Sequence, residues 1–217
     1  MKKIFAFTGV LAAVVMMGSC GNKTAKFPFD NGDSLDVANV DPTIYGVCSD
    51  GTSMNVLRMV TDTGDTLTVN IERAQEEGLV LGGIQVGDRL AVVPYKKDTA
   101  QMVINQAALL GNWVMPNPID GSDEVGITIK EGGIVEGIEQ GSIVYKTWRL
   151  VNGQLELVMM REGGSEMDET YLYDIKKLTP DSLVFQNADD IYEYGRQKPK
   201  EQYGTDIKLE EVEDFKM

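Results

Sequence analysis

Acidic side chains stand in adjacent pairs at Asp123/Glu124 and Asp189/Asp190. Glycoside hydrolysis needs two carboxylates set across a cleft at a defined separation. Sequence neighbours do not supply that, and both pairs fall in loop-like stretches, so they read as solvated charge. Met159-Met160 offers two thioethers, a soft donor set that suits copper(I). Neighbours in a strand point to opposite faces, so these sulfurs cannot share one ion. Gap-filling core methionine is the better reading. The stretch Asp30-Asn31-Gly32-Asp33-Ser34-Leu35-Asp36 invites calcium but lacks the ligand spacing and terminal glutamate of a calcium loop. Histidine is absent. That removes Ser-His-Asp and Cys-His nucleophile pairs and every imidazole metal ligand. No cofactor motif or metal-ligand set stands out, and the chain does not read as an enzyme.

Two cysteines remain. Cys48 lies between Val47 and Ser49, with no basic neighbour to stabilise a thiolate, and reads as a small buried side chain. Cys20 has a specific setting. Lys2 and Lys3 open the chain, an apolar run too short for a comfortable bilayer span follows, and Met17-Gly18-Ser19-Cys20 closes it. This order resembles a bacterial lipobox. It predicts a signal peptide over residues 1–19, cleavage before Cys20, and acylation of the Cys20 thiol and its freed amine. Several acyl chains (palmitate among them) anchor stably where one does not. Gly21, rather than an aspartate, follows Cys20, which favours the outer membrane and a periplasm-facing protein. Residues 20–41 are polar and read as a flexible tether. The formal charge of −14 repels nucleic acid and anionic lipid surfaces.

The elements that must position any site are strands. Residues 43–49, 53–60, 66–71, 89–95 and 99–105 alternate apolar and polar side chains, with a helical turn at residues 72–78. Pro94 places the end of the fourth of these on an edge. Residues 42–106 therefore predict a small OB-like or SH3-like barrel. Residues 107–187 continue in the same manner. Strands are expected at 125–130, 134–138, 142–151, 154–161, 169–176 and 181–185, with Asn152-Gly153 a hairpin turn. Residues 188–217 are charged and read as an acidic C-terminal extension.

Particular motifs lie along this frame. Leu110-Gly111-Asn112-Trp113 opens the second module; Tyr145 and Trp148 share one strand; Leu155 and Leu157 share the next; Leu178-Thr179-Pro180-Asp181-Ser182-Leu183 precedes the last. Upstream stand Gly46-Val47, Met54-Asn55, Gly64-Asp65-Thr66-Leu67 and Val86-Gly87-Asp88. In order and spacing they resemble a lipocalin-like family of small Gram-negative, Bacteroides-type lipoproteins. The resemblance covers roughly residues 45–185. It implies an all-β chain in which a small OB-like barrel precedes a short lipocalin-like antiparallel barrel, and it carries no established activity. Where relatives have a Ser/Asn-rich stretch before the Tyr-x-x-Trp strand, this chain has Glu136-Gly137-Ile138-Glu139-Gln140-Gly141.

Trp113, Tyr145, Trp148, Tyr171 and Tyr173 are the candidates to line a ligand pocket in the second barrel, or else to fill its core. The expected function is binding of a small apolar ligand or an envelope partner, the membrane being met through lipidated Cys20. The alternative is an interaction protein whose barrels are solid.

Overall fold

The computed structural model describes residues 41–198, apart from 122, 162 and 164–166. The expected signal peptide, Cys20, the tether up to residue 40 with its aspartate-rich stretch, and the acidic residues 199–217 lie outside the described residues.

The first module comprises β1 (Ile44–Cys48), β2 (Val56–Thr61), β3 (Thr66–Asn70), α1 (Glu72–Glu76), β4 (Val80–Leu81), β5 (Arg89–Lys96) and β6 (Thr99–Asn105). Strands β1 to β3 form an antiparallel meander. β5 returns to pair with β1, β6 pairs with β5, and β6 meets β3 in parallel at Asn70 and Thr99. The circuit β1-β2-β3-β6-β5-β1, with a helix after the third strand, is the Greek-key barrel of an OB-fold. The two-residue β4 runs parallel to β6 and has too few residues to show periodicity in the sequence.

Period-two burial builds this barrel. Leu57 and Met59 of β2 and Leu67 and Val69 of β3 point inward, while Arg58, Val60 and Thr68 face solvent. Cys48 is in this core, a free thiol 2% exposed. β5 behaves otherwise: Leu90 to Pro94 are all buried. Leu90 and Val92 enter the first core, whereas Ala91 packs into the core of the second module. A strand covered on both faces loses its alternation. At Pro94 the β1 side of β5 is unpaired, so the end of this strand lies on an edge there. Pro94 sits at an irregularity of the β5–β6 ladder, beyond Val92, where the pairing with β1 stops.

The second module begins at α2 (Gln106–Leu109) and continues through β7 (Gly111–Pro116), β8 (Glu124–Ile129), a 3-10 turn (Glu131–Gly133), β9 (Val135–Ile138), β10 (Ile143–Val151), β11 (Gln154–Arg161), β12 (Glu169–Leu178), β13 (Ser182–Gln186) and β14 (Ile191–Arg196). The sheet runs β10-β11-β12-β13-β14-β7-β8-β9, and a lone bridge between Ile134 and Thr147 joins its two edges. This is an eight-stranded up-and-down barrel with one thinly paired seam.

β14 corrects the expected boundary. The barrel does not end at residue 187, and residues 191–196 are not an extension. They pair with β13 along their length and with β7 at Gly195/Val114 and Arg196/Trp113. Tyr194 turns inward while Glu193 and Gly195 are exposed, so the segment has the strand period that its charge conceals.

The barrels pack end to side. The Asn152-Gly153 turn between β10 and β11 has both residues at positive φ, 49° and 78°. The Gly153 position faces Met102 and Val93 of the first barrel so closely that a Cβ would stand 2.9 Å from the Met102 sulfur. The Asn152 amide donates to Asp41 Oδ1 and Thr43 Oγ1, and the Gly82 amide donates to the Leu178 carbonyl. At the junction the buried Asn105 side chain donates to Asp88 Oδ2 at 2.7 Å and accepts from the Ala108 amide, capping α2.

Candidate functional site

The five aromatic residues singled out from the sequence do not share one pocket. Trp113 is fully buried at the start of β7, and its indole N–H donates to the Leu109 carbonyl at 2.7 Å. The Arg196 guanidinium lies 4.0 Å over its ring and donates to the carbonyls of Ala108, Leu110 and Pro180. Trp113 and Arg196 thus form a plug that ties the first strand of the barrel to its last. Nothing in that arrangement is open to a ligand.

Tyr145, Tyr171 and Tyr173 belong to a second group. Tyr173 meets Phe185 at 5.0 Å between ring centroids and Tyr192 at 5.8 Å; Phe185 meets Tyr194 at 5.7 Å; Tyr171 stacks on Tyr173 at 6.3 Å. These are contact distances for aromatic rings, so this part of the barrel is filled by its own side chains. Burial pushes the phenols of Tyr145, Tyr173 and Tyr194 above their ordinary values, and nearby tyrosines add to the effect. Arg161, over the Tyr171 ring, works against that rise at Tyr145 and Tyr192. The sequence reading missed Tyr192 and Tyr194 because it ended the barrel before them.

Room for a ligand is found at the junction of the modules. A cleft of about 600 Å³ is lined by Tyr45, Asp62 and Arg89 from the first barrel, Gln106, Ala107 and Leu110 around α2, the turn Glu131 to Gly133, and Trp148, Arg149 and Leu150 of β10. Of the five candidates only Trp148 reaches it. Trp148 is itself 8% exposed, and its indole N–H donates to the Lys130 carbonyl at 2.8 Å.

The cleft is built by the free side of β10. The two-residue turn makes Val151 and Gln154 a hydrogen-bonded pair, so Arg149 and Glu156 form the next one. The backbone groups of Trp148 and Leu150 therefore point away from β11. The seam bridge lies at Thr147, and beyond it the chain of β9 has diverged into the 3-10 turn. At Leu150 the first barrel takes over: the Tyr45 hydroxyl donates to the Leu150 carbonyl. Burial, with Asp41 adding, pushes the Tyr45 phenol up to about 12; Thr43, Arg149 and Arg89 oppose the rise.

Two guanidiniums stand at this end of the cleft. Arg89 forms a bidentate pair with Asp62, at 3.1 and 2.6 Å, and Arg149 does the same with Glu156, at 2.5 and 3.0 Å. The Gln106 amide nitrogen is buried without a hydrogen-bond partner. Leu110, Ala107, Leu150 and the Trp148 ring supply apolar surface. The cleft can hold an amphipathic molecule. Among the described residues no group of three or more His, Cys, Asp or Glu side chains is arranged to hold a metal ion.

The acidic pairs fall where solvent is. Asp123 and Glu124 are exposed at the start of β8, and Asp189 and Asp190 lie in the β13–β14 turn, their amides donating to Asn187 Oδ1. Met159 is buried and its neighbour Met160 faces the other way.

Fold and site define an all-β protein of two joined barrels, the second of the lipocalin type. Residues 105–197 match the lipocalin-like family. The chain belongs to that family through its second barrel. A crystal structure of a lipocalin-like protein from Bacteroides thetaiotaomicron VPI-5482 is 32% identical, with 42% of this chain and 97% of that chain covered and a TM-score of 0.38. No curated protein matches. The lipocalin-like fold is that of small-ligand-binding or structural β-barrel proteins.

Proposed function

We propose that this chain is a lipid-anchored protein of the outer membrane, facing the periplasm, that binds a small amphipathic molecule without transforming it. The anchor is Cys20, supported by the apolar leader and the Gly18-Ser19-Cys20 sequence. The binding site is the cleft between the barrels rather than the barrel interior. The observation that carries this reading is the cleft itself, about 600 Å³ in volume and shared by both modules, beside a barrel whose aromatic side chains pack against one another. Its size falls in the range of small-molecule sites. The competing reading, a solid interaction protein, draws support from the same packed rings.

Native mass spectrometry of the purified chain, with extraction of any co-purifying small molecule, tests the proposal. Ala107 is exposed on α2 and lines the cleft, so Ala107→Trp fills the space without touching either core. The expected result is a bound species on the wild type that Ala107→Trp releases. A species retained equally by Ala107→Trp places the ligand elsewhere. A bare mass across several growth conditions favours the solid-barrel protein.

A further inference from the structure

Hydrogen-bond donors outnumber acceptors at one end of the cleft. Arg89 and Arg149 come from different barrels and both line the cleft, alongside Tyr45 and Leu150. Asp62 and Glu156 are each committed to one guanidinium. A guanidinium has five N–H donors, so neither pair exhausts its arginine. Gln106 contributes a buried amide nitrogen with nothing to donate to. Burying such a donor unpaired is costly unless an acceptor arrives. The β10 register turns the Leu150 amide towards the same space. Leu110, Leu150 and Trp148 line the same cleft.

We infer that the cleft takes a monocarboxylate with an apolar or aromatic body. The carboxylate lies between Arg89 and Arg149, and a rotation of the Gln106 side chain, which lines the cleft, brings its unpaired amide to it; the body rests on Trp148, Leu110 and Leu150. Arg149 is 69% exposed along its side chain, which leaves its guanidinium accessible from the cleft mouth. Glu131 also lines the cleft and disfavours a second negative charge on the ligand. A single carboxylate matches the guanidinium fork, with charge-assisted bonds on both oxygens. The inference rests on the cleft being the binding site and adds the charge and polarity of what fills it.

Calorimetric titration of the full lipidated chain with phenylacetate and its uncharged isostere phenylacetamide tests this. Phenylacetate is expected to bind about tenfold more tightly than the amide, and raised salt is expected to narrow the gap. Arg149→Gln keeps an N–H donor for the 13%-exposed Glu156 side chain and is expected to abolish that preference, with the melting temperature measured alongside to report the lost ion pair. Gln106→Leu is expected to weaken phenylacetate several-fold. Equal binding of acid and amide, a preference that survives Arg149→Gln, or no binding of either probe overturns the inference. The cleft reading fails separately, by a ligand that Ala107→Trp does not displace. A neutral molecule that Ala107→Trp does displace keeps the cleft and removes the carboxylate.

Discussion

Arg196 shows how much one side chain can hold. It reaches three backbone carbonyls from two segments, the α2 end and the β12–β13 turn, and covers the Trp113 ring. Arg196→Ala strands those carbonyls and exposes the indole, and is expected to cost about 2–4 kcal/mol in urea unfolding. Arg196→Lys keeps the charge without the planar fork and is expected to recover less than half of that loss. The buried phenols make a second prediction. Their folded values lie above the ordinary 10.0, so the folded chain holds these protons more tightly than the unfolded one. Their stabilising contribution is complete below pH 10 and is lost as pH rises past it. Exposed Tyr95, held below its ordinary value by the Arg73 guanidinium, is expected to ionise first. Ultraviolet tyrosinate titration followed alongside near-ultraviolet circular dichroism checks the order. Smooth ionisation of all tyrosines with the dichroism intact contradicts it. At this scale the sequence made Cys48 legible as a buried group in a plain strand context, and left Trp113 open between pocket and core. It hid Arg196, whose partners are fixed only when the last strand meets the first. It hid the cleft too: Tyr45, Arg89, Gln106 and Arg149 follow no local pattern because they come from separate elements.

At the scale of elements, the β10–β11 hairpin both shapes the cleft and joins the modules. Asn152-Gly153 was readable as its turn, and the registers on either side follow from it. What the turn touches was not readable. Gly153→Ala forces a Cβ into a left-handed conformation and towards the Met102 sulfur and a Val93 methyl. The expected loss is about 1–2 kcal/mol, seen as a lower melting temperature. An unchanged melt shows that the tip is not clamped against the first barrel. Two elements departed from the sequence pattern for physical reasons. β5 lost its alternation because each face meets a different core. β14 was mistaken for an extension because Asp189, Asp190 and Glu193 outweigh Tyr192 and Tyr194 in composition, although not in period.

On the scale of the whole molecule, the two barrels share apolar contacts. Leu81, Ala91 and Ile104 of the first belong to the same core cluster as Trp113, Leu150 and Tyr194 of the second, with Tyr45 and Met102 packed against it. Interfaces that are apolar and interlocked in this way hold modules in a fixed relation, and a cleft between them keeps its shape. That architecture was legible in outline: two all-β modules meeting near residue 106. Their docking was not, because the residues that face across the junction are ordinary strand residues whose outer face carries no mark of a partner. Within a chain of charge −14, the Arg89–Asp62 and Arg149–Glu156 pairs are locally neutral, and it is their unused N–H groups that an anion would meet.

The pairing of β14 with β7 also orders events in time. The OB-type barrel is complete once Asn105 has emerged, and its strands can assemble while the rest of the chain is still being delivered. The second barrel cannot shut until Arg196 arrives to lie beside Trp113, a closure spanning the entire module. Contacts of such long sequence separation form slowly. Until then the β7 edge and the Tyr-rich interior stand open, and the already folded first barrel, through Ala91 and Ile104, offers a surface on which the incomplete sheet settles before it can pair with a neighbouring chain.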